Sequence, residues 1–458
     1  MNDFSNYMTP CRKGHLIGIG GVSMSPLAEV LNGKGIIITG SDISESEKVQ
    51  HLRSLGIEIH IGHAASNLAP DTEFVIRTAA AHDENPEIVE AHRRGIPVFE
   101  RAQAWGAIMR EYDNGLCIAG THGKTTTTSM CTHILMAAEK DPTVMIGGTL
   151  PLLKSAGHRV GRGNTIVMES CEYYNSFLQF YPTVAVITNI EADHLDFFKD
   201  IEDIKASFRE FASHVPQESG YIVVNMDDRN SMDAVSGLDR HFMTYGMTPL
   251  ADVYPENIVS IGAQSGFDLM YRGKLFTSVT LHVPGRHNIY DALAATAAAI
   301  CLGIKPTAVT YGLAGFNGAG RRFEFKGKYN GADIYDDYAH HPGELKALLN
   351  AVEGLGYKRT IVVFQPHTYT RTLALLDDFV TQLKRPGLVY LADIYAAREK
   401  NTNGASSRML ADRLDNAVFL PSFEEIEYAL QVVAEPGDII LTVGAGDVYK
   451  IGEHLLGK

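Results

Sequence analysis

The run Ala119-Gly120-Thr121-His122-Gly123-Lys124-Thr125-Thr126 has the residue types of a phosphate-binding loop. Gly120 and Gly123 lack a Cβ, so backbone N–H groups across Gly120, Thr121, His122 and Gly123 can close on phosphate oxygens. Lys124 can reach the β- and γ-phosphates, and the Thr125 hydroxyl can hold Mg²⁺, with Thr126 beside it. The chemistry implied is that of ATP and magnesium. The position five residues before Gly123 is Ile118, so the loop is a shortened form of the general pattern.

Two further polar clusters follow apolar runs. Thr165-Ile166-Val167-Met168-Glu169 leads into Ser170-Cys171-Glu172, and a carboxylate at such a strand end suits a magnesium ligand. Val184 to Asn189 leads through Glu191 to Asp193-His194-Leu195-Asp196. Three strands would thus bring Lys124 and Thr125, Glu169, and His194 to one edge of an open α/β sheet, where ligands bind.

The positioning elements can be read from the pattern. Leu116 to Ala119 is a strand, and the residues after Lys124 have helical spacing, so the loop lies between strand and helix. Before it, His15 to Ile19 is a strand ending in Gly18-Ile19-Gly20-Gly21. A helix through Leu31 and a strand Ile36 to Gly40 follow, ending near Asp42. This is a βαβ start with Asp42 where a dinucleotide-binding acid would meet a ribose, or else a packing turn, since Ser23 replaces the third glycine. Phe74 to Ile76, Pro86 to Arg94 and Ile96 to Val98 continue the alternation as strand, helix and strand. Asn288 precedes an alanine-rich helix, Ala292 to Ile300, and could cap it. After Gly315 to Gly320 the alternation resumes. Asp333 to Asp337, Thr360 to Phe364, Leu388 to Ala392 and Asp438 to Val443 are strands with polar or glycine-rich ends. The expected fold is α/β in three domains: a Rossmann-like one (1–112), a central P-loop domain with a mainly parallel sheet (113–317) and a small Rossmann-like one (318–458).

Composition bounds the function. The chain has 458 residues, 45% of them apolar, and a formal charge of −14, which argues against nucleic-acid binding. Five scattered cysteines without a Cys-x-x-Cys pair suggest a reducing compartment and no zinc framework. The polar start and the absence of an apolar run long enough to span a bilayer predict a cytoplasmic protein without membrane insertion.

Taken together, the motifs resemble the Mur ligase family. Those that carry the resemblance are Gly18-Ile19-Gly20-Gly21, the P-loop, Asn189-Ile190-Glu191 with Asp193-His194-Leu195-Asp196, and Gly285-Arg286-His287-Asn288. Arg321-Arg322-Phe323-Glu324, Asp336-Asp337-Tyr338-Ala339-His340-His341-Pro342 and Phe364-Gln365-Pro366-His367 complete it, covering nearly the whole chain in order.

The resemblance implies an ATP-dependent amide ligase that joins L-alanine to the lactyl carboxylate of UDP-N-acetylmuramate through an acyl phosphate, in cell-wall precursor synthesis. It implies that Gly18, Gly20, Gly21 and Asp42 hold UDP rather than NAD, and that Glu169 and His194 join Thr125 as metal ligands. Asn288, Arg322 and Asp337 would contact the nucleotide. Tyr338, His340 and Arg371 would orient L-alanine, and the protein would act as a monomer or homodimer. The sequence departs from the family pattern at Thr368, where many relatives carry arginine, and in Glu169-Ser170-Cys171-Glu172, which lacks an aspartate. Lys205 lies near the site of a modified lysine in sister ligases, but Phe208 stands at the matching offset, so Lys205 is given no role. The alternatives are a ligase that adds a whole peptide to the same sugar nucleotide, a P-loop kinase, and a nucleotide-binding regulator.

Overall fold

The structure is a computed structural model, and it describes every residue except Met1, Asn2, Ser155, Asp196 and Arg398. Asp196 of the motif above therefore lies outside the described residues.

Three sheets follow one another along the chain. The first has five parallel strands: β1 (Lys13–Ile17), β2 (Ile37–Asp42), β3 (Glu58–Ile61), β4 (Phe74–Arg77) and β5 (Val98–Glu100), in the order β3-β2-β1-β4-β5. The order reverses beside β1, so the turn Gly18–Gly21 lies at a topological switch point. The expected strand at Ile96 to Val98 begins at Val98 instead, because Ile96 closes the preceding turn by donating to Ala91 O.

The central sheet has ten strands. They are β6 (Asn114–Ala119), β7 (Thr143–Leu150), β8 (Ala156–Arg159), β9 (Thr165–Glu169) and β10 (Val184–Ile187), then β11 (Tyr221–Asn225), β12 (His241–Tyr245), β13 (Val253–Ile261), β14 (Gln264–Tyr271) and β15 (Lys274–Leu281). Their order is β15-β14-β13-β12-β11-β10-β6-β9-β7-β8. β6 lies between β10 and β9 and pairs with both in parallel, so all three C-terminal ends open on one edge. β13 to β15 form an antiparallel flank.

The third sheet comprises β16 (Glu324–Tyr329), β17 (Ala332–Asp337), β18 (Arg359–Phe364), β19 (Leu388–Leu391), β20 (Ala417–Phe419) and β21 (Asp438–Val443), in the order β16-β17-β21-β18-β19-β20. All but β16 run parallel.

The cores divide unevenly. One apolar cluster runs from the first sheet through helix Arg101–Met109 into the central domain, joining Trp105 and Ile108 with Phe177, Phe208 and Phe211. On that helix Gly106 sits so close to the chain at Gln179 that a Cβ would lie 1.9 Å from the Gln179 carbonyl oxygen. The third sheet has apolar clusters of its own on both faces. Within the shared core Phe208 is fully buried, while Lys205 pairs with Glu202 at 2.9 Å on the surface of helix Ile201–Ser213.

Candidate active site

The P-loop follows β6 and opens helix Lys124–Ala137, whose N-cap is Gly123 at φ +82°. Gly120 has φ +140°, and a Cβ there would lie 1.9 Å from Thr188 Oγ1. A Cβ on Gly123 would lie 2.5 Å from Asp291 Oδ1. Both glycines are thus required by backbone conformation and by close approach. The end of β10 fixes the loop: Asn189 Oδ1 accepts from His122 N at 2.9 Å, and Asn189 O accepts from Thr121 N at 2.9 Å.

Lys124 Nζ donates to Thr121 O at 3.1 Å, to Gly120 O and to Glu172 Oε2 at 3.1 Å. Burial alone would favour the neutral amine, but its anionic neighbours, Glu172 foremost and Glu169 among them, together outweigh burial and raise the pKa. Thr125 Oγ1 donates to Glu169 Oε1 at 3.1 Å, and Glu169 Oε2 accepts from Gly147 N at 2.6 Å. His194 lies nearer to Glu172, with 3.9 Å between its Nε2 and Glu172 Oε1. The predicted ligands therefore fall into two adjoining groups, Thr125 with Glu169, and His194 beside Glu172, a carboxylate not among the expected ligands. Glu172 is 3% exposed and links the second group to Lys124. His194 has φ +53°, and its ring stacks on Tyr173 at 4.3 Å.

A cavity of about 290 Å³ beside the loop is lined by His122, Gly123, Thr125, Thr126, Asn288, Arg322 and Asp337, among others. It brings together these seven loop and nucleotide-contact residues expected from separate parts of the sequence, whereas Gly120, Thr121 and Lys124 do not line it. Asn288 is not the helix cap. The helix is Arg286–Cys301 with Gly285 at its N-cap, and Asn288 Nδ2 donates back to Pro284 O at 2.6 Å. Asp337 accepts from Phe323 N and Ala339 N, both at 2.8 Å, yet burial raises its pKa to about 6 against the pull of Arg322. Burial also raises the pKa of Asp291, which accepts from Thr127 Oγ1 at 3.1 Å, to about 7. Burial opposes the charge on Arg322, but Glu344, Asp337 and Glu169 raise its pKa.

A second cavity, about 210 Å³, contains Asp193, His194, Thr368, Thr370 and Arg371. Tyr338 and His340 do not line it. The Tyr338 ring lies under Arg321 and Arg322, with guanidinium carbons 4.9 and 5.2 Å from its centroid. His340 Nδ1 faces Tyr338 O at 3.0 Å, and its ring meets His367 edge-on at 5.5 Å. A third cavity, about 790 Å³, opens between the first and central domains, with Arg77, Arg101, Gln103, Tyr174 and Asn175 in its walls. Gly18, Gly20, Gly21 and Asp42 line none of these three cavities. Asp42 Oδ2 accepts from Gly20 N at 2.8 Å, so its carboxylate braces the glycine turn.

Glu172 and Asp193 were within reach of the sequence, since both stand in motifs at strand ends. Asp291 gave no signal, because its position opposite Gly123 depends on how helix Arg286–Cys301 packs.

A P-loop at the open edge of a parallel sheet, flanked by two further α/β units, defines a nucleotide-phosphate-using protein of three domains. Residues 13–113 match the Mur ligase family, catalytic domain, residues 118–299 the Mur ligase middle domain and residues 321–446 the Mur ligase, glutamate ligase domain. The chain belongs to the Mur ligase family. It is 48% identical to the UDP-N-acetylmuramate–L-alanine ligase of Clostridium novyi, over 97% of each chain. It is 47% identical to the ligase of the same name from Agathobacter rectalis, again over 97% of each. Among solved structures it is similar to the UDP-N-acetylmuramate-alanine ligase MurC of Thermotoga maritima, with a TM-score of 0.81 and 29% identity over 97% of this chain and 98% of that one. A murein peptide ligase from Psychrobacter arcticus, 22% identical with a TM-score of 0.71, has the same fold.

Proposed function

We infer that the protein joins L-alanine to the lactyl carboxylate of UDP-N-acetylmuramate, with ATP cleaved to ADP and phosphate, in cytoplasmic cell-wall precursor synthesis. The observation that carries this reading is 48% identity over 97% of both chains with a relative of that name. Among the described residues no helix is long and apolar enough to cross a membrane, in keeping with soluble substrates. The domains are taken as 1–112 for the sugar nucleotide, 113–317 for ATP and 318–458 for the amino acid.

The residues present fit a nucleotide and magnesium. Gly120 and Gly123 let the loop pack against Thr188 and Asp291 where a Cβ would collide, so the phosphate-loop conformation needs both, and Thr125 Oγ1 beside the Glu169 carboxylate is a pair of hard oxygen donors. Thr125 and Glu169 would hold one magnesium, and His194 with Glu172 a second. When bound, such ions neutralise charge on the phosphates and the reacting carboxylate.

The chain's own groups do the rest. A carboxylate is a poor electrophile, so it is first phosphorylated by ATP; the amine of L-alanine then attacks the acyl phosphate, and phosphate leaves as the amide forms. Lys124 offsets the repulsion between the attacking carboxylate and the γ-phosphate. Arg371 would take the L-alanine carboxylate as a two-pronged donor, in a cavity of a size suited to a small amino acid. Asn288, Arg322 and Asp337 would contact the nucleotide, and the turn Gly18 to Gly21 with Asp42 the UDP moiety. Closure of the domains would keep water from the acyl phosphate.

ADP release measured with UDP-N-acetylmuramate and a panel of amino acids tests this reading. Release that requires both substrates and is fastest with L-alanine is expected. Preference for a tripeptide would replace the reading with the peptide-adding ligase, and a phosphorylated sugar nucleotide without amide would replace it with a kinase.

A further inference from the structure

The side chain of His122 has no step in the chemistry above, although it lines the 290 Å³ cavity together with Glu191 and Glu344. It lies between carboxylates of two domains. Its Nε2 is 3.4 Å from Glu191 Oε2, on the segment after β10, and its Nδ1 is 3.5 Å from Glu344 Oε1, in helix Pro342–Glu353 of the third domain. The His341 ring, at the N-cap of that helix, stands 4.9 Å from the His122 ring. Both nitrogens of His122 and Nε2 of His341 are buried without a hydrogen bond, and His341 as a whole is 7% exposed. Donor atoms of His122, Glu191 and His341 all lie within 4.8 Å of one another, and no other three His, Cys, Asp or Glu residues among those described do so.

The geometry points to a site for a zinc-class transition-metal ion, formed by His122, Glu191 and His341 and tying the central domain to the third. Two imidazoles and one carboxylate suit zinc or cobalt better than magnesium, whose shell is mainly oxygen from carboxylates, phosphates and water, with room for a single imidazole such as His194 at most. With His122 Nε2 on the ion, its Nδ1–H faces Glu344, the outer carboxylate that orients many metal-binding histidines. The two carboxylates together balance a dication. Gly343 leaves the space clear: a Cβ there would lie 3.2 Å from Glu191 Oε2 and 3.3 Å from His122 Nε2. Binding through His341 Nε2 moves that ring's proton to Nδ1 and gives up the contact with Gly343 N at 3.2 Å. Donors around a tetrahedral ion at about 2.1 Å stand about 3.4 Å apart, so the side chains need to converge by about an ångström. An ion held here would restrain the third domain against opening, so it should raise the melting temperature and slow turnover.

The test is a titration of the full chain with CoCl2 under saturating MgCl2, followed by visible absorbance and equilibrium dialysis. One Co²⁺ per chain that magnesium does not displace is expected, with Zn²⁺ displacing it. Glu344→Gln should weaken binding about 10- to 100-fold. Glu191→Gln and His341→Gln should weaken it at least as much, and His194→Ala should leave it in place. Absence of Co²⁺ from the wild type under magnesium overturns the proposal. So does loss of the ion in His194→Ala with retention in both Glu191→Gln and His341→Gln, which would put the metal on the phosphate side.

Discussion

Arg371 Nη2 donates to Asp193 Oδ1 at 2.8 Å across the boundary between the third and central domains, with both side chains nearly nine-tenths buried. Asp193 Oδ1 also accepts from the backbone N–H of His194 at 2.8 Å. One carboxylate therefore orients the guanidinium and fixes the backbone of the neighbouring histidine. Burial opposes the charge on Asp193, but Arg371, chiefly, and His194 hold its pKa well below the usual range.

The pair separates binding from stability. Losing a charge-assisted contact to the substrate carboxylate costs roughly 2–4 kcal/mol, so Arg371→Ala should raise the L-alanine KM by about 30- to 1,000-fold and leave the ATP KM nearly unchanged. It also strands a buried carboxylate, a loss of roughly 3–5 kcal/mol in stability. Adding Asp193→Asn should restore much of the stability and none of the KM. Steady-state kinetics beside denaturant melts check both. An unchanged L-alanine KM would shift attention to Arg322, because Arg321 is committed to Asp336 and to the carbonyls of Gly444 and Gly446.

Lys124→Ala should lower turnover by about 10²- to 10³-fold or more, the usual cost of removing a positioned charge from the transition state. The circular dichroism spectrum should be unchanged. Near-normal turnover would remove Lys124 from the mechanism.

His194→Ala and Glu172→Gln should impair turnover more than ATP affinity, because their group lies apart from the Thr125–Glu169 pair. Isothermal titration with a non-hydrolysable ATP analogue, set beside kcat, distinguishes the two effects. Equal losses in both would mean that one shared ion serves the whole site.

Asp291 supplies a pH signature. Burial raises its pKa from 3.8 to about 7, so between those values the folded chain binds more protons at this position than the unfolded one. Its contribution to stability is complete below about 4 and falls as pH rises toward 7. Asp291→Asn should flatten that fall, so the melting-temperature difference between variant and wild type should grow in the variant's favour from pH 4 to pH 7. A constant difference across that range would mean that Asp291 is ionised throughout.

The open edge of the central sheet was legible because short apolar runs ending in Gly-Lys-Thr, Glu and Asn-x-Glu have few other uses. What escaped reading depended on packing. Asn288 has the residue type and place of a cap, but Gly285 at φ +96° starts the helix earlier, and only the folded turn decides between them. Glu172 follows Glu169 by three residues, and sequence cannot say which carboxylate meets His194. The antiparallel flank β13 to β15 is largely solvent-exposed on one face and lacks the continuous apolar runs that mark buried parallel strands. Asp42 stands where a ribose contact is expected, yet its carboxylate is engaged by Gly20 N–H.

The contact at Gly106 sets a mechanical rule for the molecule. Two domains that meet backbone to backbone, over a continuous apolar core, have no slack between them. The 790 Å³ cavity, which includes Arg101, Gln103 and Gln179, thus lies beside a joint with no room for even one methyl group. Position 106 acts as a shim of zero thickness. The third domain's apolar cores, by contrast, stop at its own borders, and buried polar pairs such as Arg371 with Asp193 are part of its join to the central domain.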